Sequence, residues 1–198
     1  AYNSLIQPDG KIILSGFANN GSNIDFGLVR LNTDGTLDTS FGTGGRVITA
    51  VGSGNDEGGI GVALQSDGKI VMVGIIEQGA DRNVGIVRYN ADGSLDTNFG
   101  TAAIQITNFA AGEDMVRGVA IQADGKIVAT GSSNAGSYDE TLVARYLSDG
   151  TLDVSFGLSG FTTVDIASED SEGVSVIAQS DGKIVLSGTG FNGTDRDF

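Results

Sequence analysis

Along this chain, short apolar runs of about five residues alternate with clusters of Gly, Asp and Asn, a pattern that predicts strands and tight turns rather than helices. In one stretch the runs fall at 61–65, 69–74, 85–90 and 103–107, which predicts four strands in succession. The Asp-Gly pair at 67–68 lies between the first two. Such a pair between apolar runs predicts a two-residue hairpin of type I′, with both central residues at positive φ. The second run is apolar on both sides: Ile70, Val71 and Val73 here, matched by Ile12, Ile13 and Ile127 elsewhere. A strand with no polar side is predicted to be buried on both faces.

The whole set recurs. QPDGKI at 7–12 returns at 65–70, 122–127 and 179–184, and NTDGTLDTSFG at 32–42 returns at 90–100 and 147–157, in step with the first block. The units run over approximately 1–55, 56–112 and 113–169, with a partial unit at 170–198. Four antiparallel strands per unit, each unit burying its faces against its neighbours, predict an all-β chain. The expected architecture is a β-propeller-like array of four-stranded antiparallel blades, about 3.5 repeats of roughly 57 residues. A β-solenoid is the rival, but its coils are shorter, so one unit would have to hold two or three of them. The last unit has its first two strands, through Gly188, and only begins a third at Asp197 and Phe198. Two expectations follow: a fragment of a longer array, or a ring completed by a second chain, with two chains of three and a half units making seven.

The QxDGKI and DGxLDxxFG blocks resemble those of the bacterial delta-60 repeat, and the resemblance covers nearly the whole chain. It implies a β-propeller fold and a place in large secreted or surface proteins of bacteria. It brings no established activity. Pro8 occurs only in the first copy, and Leu147 stands where the second block otherwise begins with Asn.

Composition narrows the chemistry. The 32 Gly and single Pro suit many tight turns. The chain has no Cys and no His, which removes thiolate nucleophiles, thiolate metal sites and the ordinary imidazole-based mechanisms. A net charge of -14 leaves no basic stripe for phosphate backbones, so no nucleic-acid partner is expected. No apolar run approaches the ~20 residues of a membrane helix, and residues 1–7 do not read as a signal peptide, so no membrane insertion is expected.

The segment from Asn32 to Asp38 has the centre of a calcium loop but not its ends: Arg30 and Phe41 occupy the first and last ligand positions, and Leu147 removes a ligand in the third copy. A turn held by Asn and Asp side chains is the expectation there. Lys11, Lys69, Lys126 and Lys183 recur once per unit, as do Arg30, Arg88 and Arg145, and Asp38, Asp96 and Asp153. A catalytic site needs different residues meeting once, so recurrence points to scaffold. Each Arg is expected to pair with a turn Asp, within or between blades, while Phe41, Phe99 and Phe156 anchor the long connection to the core. The Gly-rich stretches at 42–45 and 58–61 lack the context of a phosphate cradle and are expected to be turns.

In a four-stranded meander, alternate connections fall on opposite sides, so one face carries the recurring Asp-Gly turns and the other the connections that differ between copies. The variable connections carry fourteen carboxylates against three arginines. Among them Asp56, Glu57, Glu113, Asp114, Glu169 and Asp170 fall at matching places on successive units and form an arc for a basic partner or a divalent cation, Ca2+ being the candidate. The plainer alternative is that the acidic loops only maintain solubility. No catalytic residue and no cofactor is assigned. The expected function is a non-catalytic extracellular or cell-surface repeat module, a scaffold or protein-interaction surface, with a protein partner or with self-association through open blade edges as a homodimer. The alternatives are a carboxylate-only glycoside hydrolase or carbohydrate-binding propeller, and a purely structural spacer. Sugar binding is disfavoured, because there is no Trp and Tyr138 is the one aromatic of the variable loops singled out for it.

Overall fold

The computed structural model describes residues 1–51, 57–79, 81–110, 112–134, 138–165, 170–191 and 194–197. The first sheet is built from β1 (Asn3–Ile6), β2 (Ile12–Asn19), β3 (Ile24–Leu31) and β4 (Arg46–Thr49). The second contains β5 (Glu57–Leu64), β6 (Ile70–Gln78), β7 (Asp81–Tyr89) and β8 (Ile104–Thr107). The third contains β9 (Asp114–Ile121), β10 (Ile127–Ser133), β11 (Glu140–Tyr146) and β12 (Phe161–Val164). A fourth has three strands, β13 (Ser171–Ala178), β14 (Ile184–Phe191) and β15 (Arg196–Asp197). Within each sheet the spatial order is the chain order and every pairing is antiparallel. The chain is therefore all-β, a row of propeller-type blades, as the strand pattern predicts.

The blades stack because their central strands have no polar side. Ile70, Val71, Met72 and Val73 are all fully buried. Register puts Ile70 and Met72 on one face with Tyr89 and Val87, and that face joins Ile13, Phe26 and Leu28 of blade 1 in one core. Val71 and Val73 point the other way and join Ile127, Ala129 and Leu142 of blade 3 in a second. Fully burying one such side chain contributes about 1.5–3 kcal/mol, so these two seams dominate the cohesion of the array. The first strand of each blade packs against the second and third strands of the blade before it, and β5, β9 and β13 lie in succession beside one another.

Two local expectations need correction. The first turns are not two-residue type I′ hairpins. Gly10 N donates to Gln7 O at 2.8 Å, Gln7 N donates to Lys11 O at 2.8 Å, and only Gly10 has positive φ, at +83°. That is a type I turn followed by a left-handed glycine, a three-residue loop. Asp9 keeps a negative φ because its carboxylate accepts from the Lys11 amide at 3.1 Å, a bond local to the turn. The same arrangement recurs at Gly68, Gly125 and Gly182.

The second correction concerns 58–61, which is not a turn but part of β5, with an irregular register between Gly59 and Gly61. A Cβ on Gly61 would stand 2.8 Å from the Arg117 carbonyl of β9. Glycine is used here for close approach of neighbouring first strands, not for a bend.

Candidate functional site

On the turn face, the first hairpin delivers Lys11, the end of β3 delivers Arg30, and the second turn delivers Asp38. Asp38 Oδ2 accepts from Lys11 Nζ at 2.8 Å and from Arg30 Nε at 2.7 Å, while its Oδ1 accepts from the Ser40 amide at 3.1 Å and hydroxyl at 2.6 Å. Blade 2 repeats the node: Asp96 accepts from Lys69 at 2.8 Å, Arg88 at 2.7 Å and the Asn98 amide at 3.2 Å. Each bridge is thus within a blade. In blade 3, Arg145 holds Asp153 at 2.9 Å, but Lys126 turns to Asp124 at 2.9 Å and leaves Asp153 at 3.9 Å.

The ammonium of Lys11, then the Ser40 hydroxyl, hold the Asp38 carboxyl well below the usual range. Lys69 leads the same downward shift at Asp96. At Asp153 the Ser155 hydroxyl is the main cause, as the displacement of Lys126 requires. These carboxylates stay ionised at neutral pH with their oxygens occupied, so none is poised to donate a proton.

The arginines do a second job that the sequence does not announce. Arg30 Nη1 donates to the Ala91 carbonyl in the second turn of blade 2 at 2.6 Å, and Arg88 Nη1 donates to the Ser148 carbonyl in blade 3. Beside them, Gly42 N donates to Asp92 O and Gly100 N to Asp149 O, both at 2.8 Å. Arg30, Arg88 and Arg145 lie over Phe41, Phe99 and Phe156 at 4.5, 4.6 and 4.6 Å. The ring of Phe41 in turn reaches Gly93, where a Cβ would meet it at 2.9 Å. Blades 1 and 2 thus each grip the Asp-Gly turn of the next blade through one Arg, one Phe and one glycine amide.

A further seam contact also went unread. Tyr89 donates its hydroxyl to Thr49 of blade 1 at 2.9 Å, and Tyr146 to Thr107 of blade 2 at 3.1 Å. Burial pushes both phenols up, far from ionisation. The signal was present in the sequence, since both the tyrosines and the threonines recur one repeat apart.

The acidic arc on the opposite face is only partly assembled. Asp56 and Glu169 lie outside the described residues, as does the side chain of Glu57. Asp114 is fully buried: it accepts from the Phe109 amide at 2.6 Å, the Ala110 amide at 3.3 Å and the Ser133 hydroxyl at 2.6 Å, so it closes a loop rather than facing solvent. Glu113 is half exposed and lies 3.4 Å from Arg82 of the neighbouring hairpin. Asp170 is exposed and accepts from the Asp139 amide at 2.9 Å. Among the described residues no three acidic side chains come together in a way that would hold a metal ion. The connections are also shorter than the variable stretches of sequence suggest, because β6 and β7 run to Gln78 and from Asp81, pairing Glu77 with Arg82 across the hairpin.

Two clefts mark the turn face. One of about 590 Å3 lies among the first turns of blades 1 to 3, lined by Gln7, Gln65 and Gln122 with Pro8, Asp67 and Ala123. The other, about 660 Å3, lies where blade 1 meets the second turn of blade 2, lined by Ser40, Thr43, Arg46, Asp92 and Ser94. Among the described residues no helix is long and apolar enough to cross a membrane.

A search of curated proteins returns no match. A family model does match, three times, at residues 7–41, 65–99 and 122–156, together just over half of the chain. Each match opens at the Gln of a first turn and closes at the Phe that lies under the blade's Arg. The repeated unit is thus the piece that carries the Lys–Asp–Arg node, and the chain belongs to the family described as a domain of unknown function (DUF5122), beta-propeller.

Proposed function

We propose that this chain is a non-catalytic repeat module of the delta-60 type, secreted or displayed on a bacterial surface, where its blades form a rigid support and its loop face engages a partner protein. One observation carries the reading: the Arg and Asp that recur in every complete blade are consumed in an ion pair that fixes the blade's own turns, and Arg30 and Arg88 also bond to the next blade. A support of that kind leaves the non-repeating connections as the place where an individual protein acquires specificity. The net charge of -14 favours a partner with a basic patch, drawn in by long-range attraction.

The test uses surface extracts of cells that carry the protein, with the chain and its Glu113→Gln/Asp170→Asn variant as baits. A partner retained by the parent and lost by the variant, with the thermal midpoint unchanged, is expected. Equal recovery by both baits defeats the loop-face reading. Release of reducing ends from a panel of polysaccharides defeats the non-catalytic one, and resistance of the protein to protease added to intact cells defeats the surface location.

A further inference from the structure

We propose that the β2–β3 hairpin of blade 1 holds a calcium ion between the Asp25 carboxylate and the side-chain oxygen of Asn23. The inference goes beyond the surface role proposed above and does not depend on it, because its groups belong to one hairpin and its test reads a metal rather than a partner.

Asp25, in β3, is 1% exposed, and its charge has no counterpart. Its Oδ2 accepts from Asn20 Nδ2 at 2.6 Å, while its Oδ1, also buried, accepts from nothing. Among the described residues no Lys or Arg forms an ion pair with it. A carboxylate taken out of water with one oxygen unpaired and no countercharge is costly, far more so than a neutral group in the same place. Blade 2 uses the neutral alternative. One repeat on, in β7, stands Asn83, 3% exposed, whose Nδ2 donates to Gln78 Oε1 at 3.1 Å. Asn83 Oδ1 is likewise unpaired, but an amide carries no net charge to balance. The fold therefore accepts an uncharged side chain at this place, and Asp25 adds a negative charge that the packing does not require.

The turn beside Asp25 differs as well. In blade 2 the strands stay paired as far as Gln78 and Asp81, whereas in blade 1 the ladder stops at Asn19 and Ile24. Between them Asn20 N donates to Asn23 O at 3.1 Å, and Asn20 Oδ1 accepts from the Ser22 and Asn23 amides at 2.8 and 3.1 Å. This turns Asn20 Nδ2 inward, 2.5 Å from Asn23 Oδ1 and 2.6 Å from Asp25 Oδ2. One electropositive group thus sits between two side-chain oxygens, closer than an ordinary N–H···O bond and within the roughly 2.3–2.6 Å of calcium–oxygen contacts. Asn20 is exposed, so its amide can exchange these bonds for water and leave the place to an ion.

The donors are oxygens alone, and the chain has neither Cys nor His. Such a set takes a hard cation. Calcium suits it better than magnesium, because calcium accepts irregular shells while magnesium demands a compact octahedron and gives up water reluctantly. Two carboxylate oxygens and one amide oxygen leave the rest of the shell to water, so the site is weak, with a dissociation constant on the order of 1 mM. The ion supplies the positive charge that Asp25 lacks.

The experiment is the thermal midpoint and titration calorimetry of the full chain with calcium, with magnesium at equal ionic strength, and with chelator. For a site of that affinity, calcium at about 10 mM is expected to raise the midpoint by roughly 3–6 °C, and magnesium to leave it near the chelated value. Asp25→Asn, the residue type blade 2 already uses, is expected to abolish the calcium-dependent rise and, without calcium, to melt no lower than the parent. Asn23→Ala keeps the carboxylate and is expected to weaken calcium binding several-fold with the chelated midpoint unchanged. An acidic chain also attracts calcium diffusely, but Asp25→Asn removes only one of 25 carboxylates, so a diffuse effect would survive it. A calcium response that persists in Asp25→Asn overturns the proposal, as does an equal response to magnesium or no response in the parent. Should Asp25→Asn fail to fold, Asn23→Ala decides, and an unchanged calcium affinity in that variant overturns the proposal.

Discussion

Replacing Asp96 by Ala tests whether the turn-face node holds the array together. The carboxylate is 3% exposed and takes Arg88 at 2.7 Å and Lys69 at 2.8 Å. Lys69 is partly exposed and turns to water when released. Arg88 cannot: it is 7% exposed, fixed over Phe99 and bonded to the Ser148 carbonyl of the next blade. Removing one partner of a buried pair strands the other charge and costs about 3–5 kcal/mol. For a chain of this length each kcal/mol moves the thermal midpoint by about 2–4 °C, so a fall on the order of 10 °C is expected. The comparison that makes the test specific is Asp153→Ala. There Lys126 has already turned away, and Arg145, the most exposed of the three arginines, makes no bond to a following turn among the described residues. Its loss is expected to be less than half that at Asp96. Calorimetry of both variants, with urea titration followed by circular dichroism, reads the difference. A midpoint for Asp96→Ala within a degree or two of the parent, or an equal fall at Asp153→Ala, would refute the argument that burial and the interblade bond give the node its weight.

Two more outcomes follow from the same geometry. Gly35 and Gly93 share a left-handed φ, +85° and +89°, so alanine strains the backbone at both by about 1–2 kcal/mol; only at Gly93 does the new Cβ also strike the Phe41 ring, and chemical denaturation should show Gly93→Ala as clearly the more damaging. Acid should unfold the chain over one window. Asp38, Asp96 and Asp153 have folded-state pKa values lowered by their partners, so their stabilisation is present above the unfolded value of about 3.9 and is lost as pH falls through the lower folded values. With no His to titrate, thermal midpoints should be flat from pH 8 to about pH 5 and fall below about pH 4. A midpoint that drops between pH 7 and pH 5 contradicts this account.

The strand pattern was legible because its causes are local. Alternation, the Asp-Gly turns and the doubly apolar second strand depend on residues within a few positions of one another, and four strands per blade follow. The turn type was misread because Asp-Gly suits two hairpins. The choice between them lay in the bond that the Lys11 amide donates to the Asp9 carboxylate, with only Gly10 at positive φ. Composition does not separate a glycine that bends the chain from one that lets another backbone approach, so the stretch with Gly59 and Gly61 reads as a turn in the sequence.

The sequence by itself determined that the chain repeats, that each repeat folds into one blade, and that its Lys, Arg, Asp and Phe recur as parts of the scaffold. Tertiary structure decided where those side chains reach. Arg30 meets its own Asp38 and a carbonyl some sixty residues away, and Asp114, grouped with the exposed acids by its place in the repeat, is buried under Phe109 and Ser133. Such choices depend on distances between blades. Those distances are set by the packing of apolar faces across the seams, and the pattern of any one repeat is the same on either side of a seam.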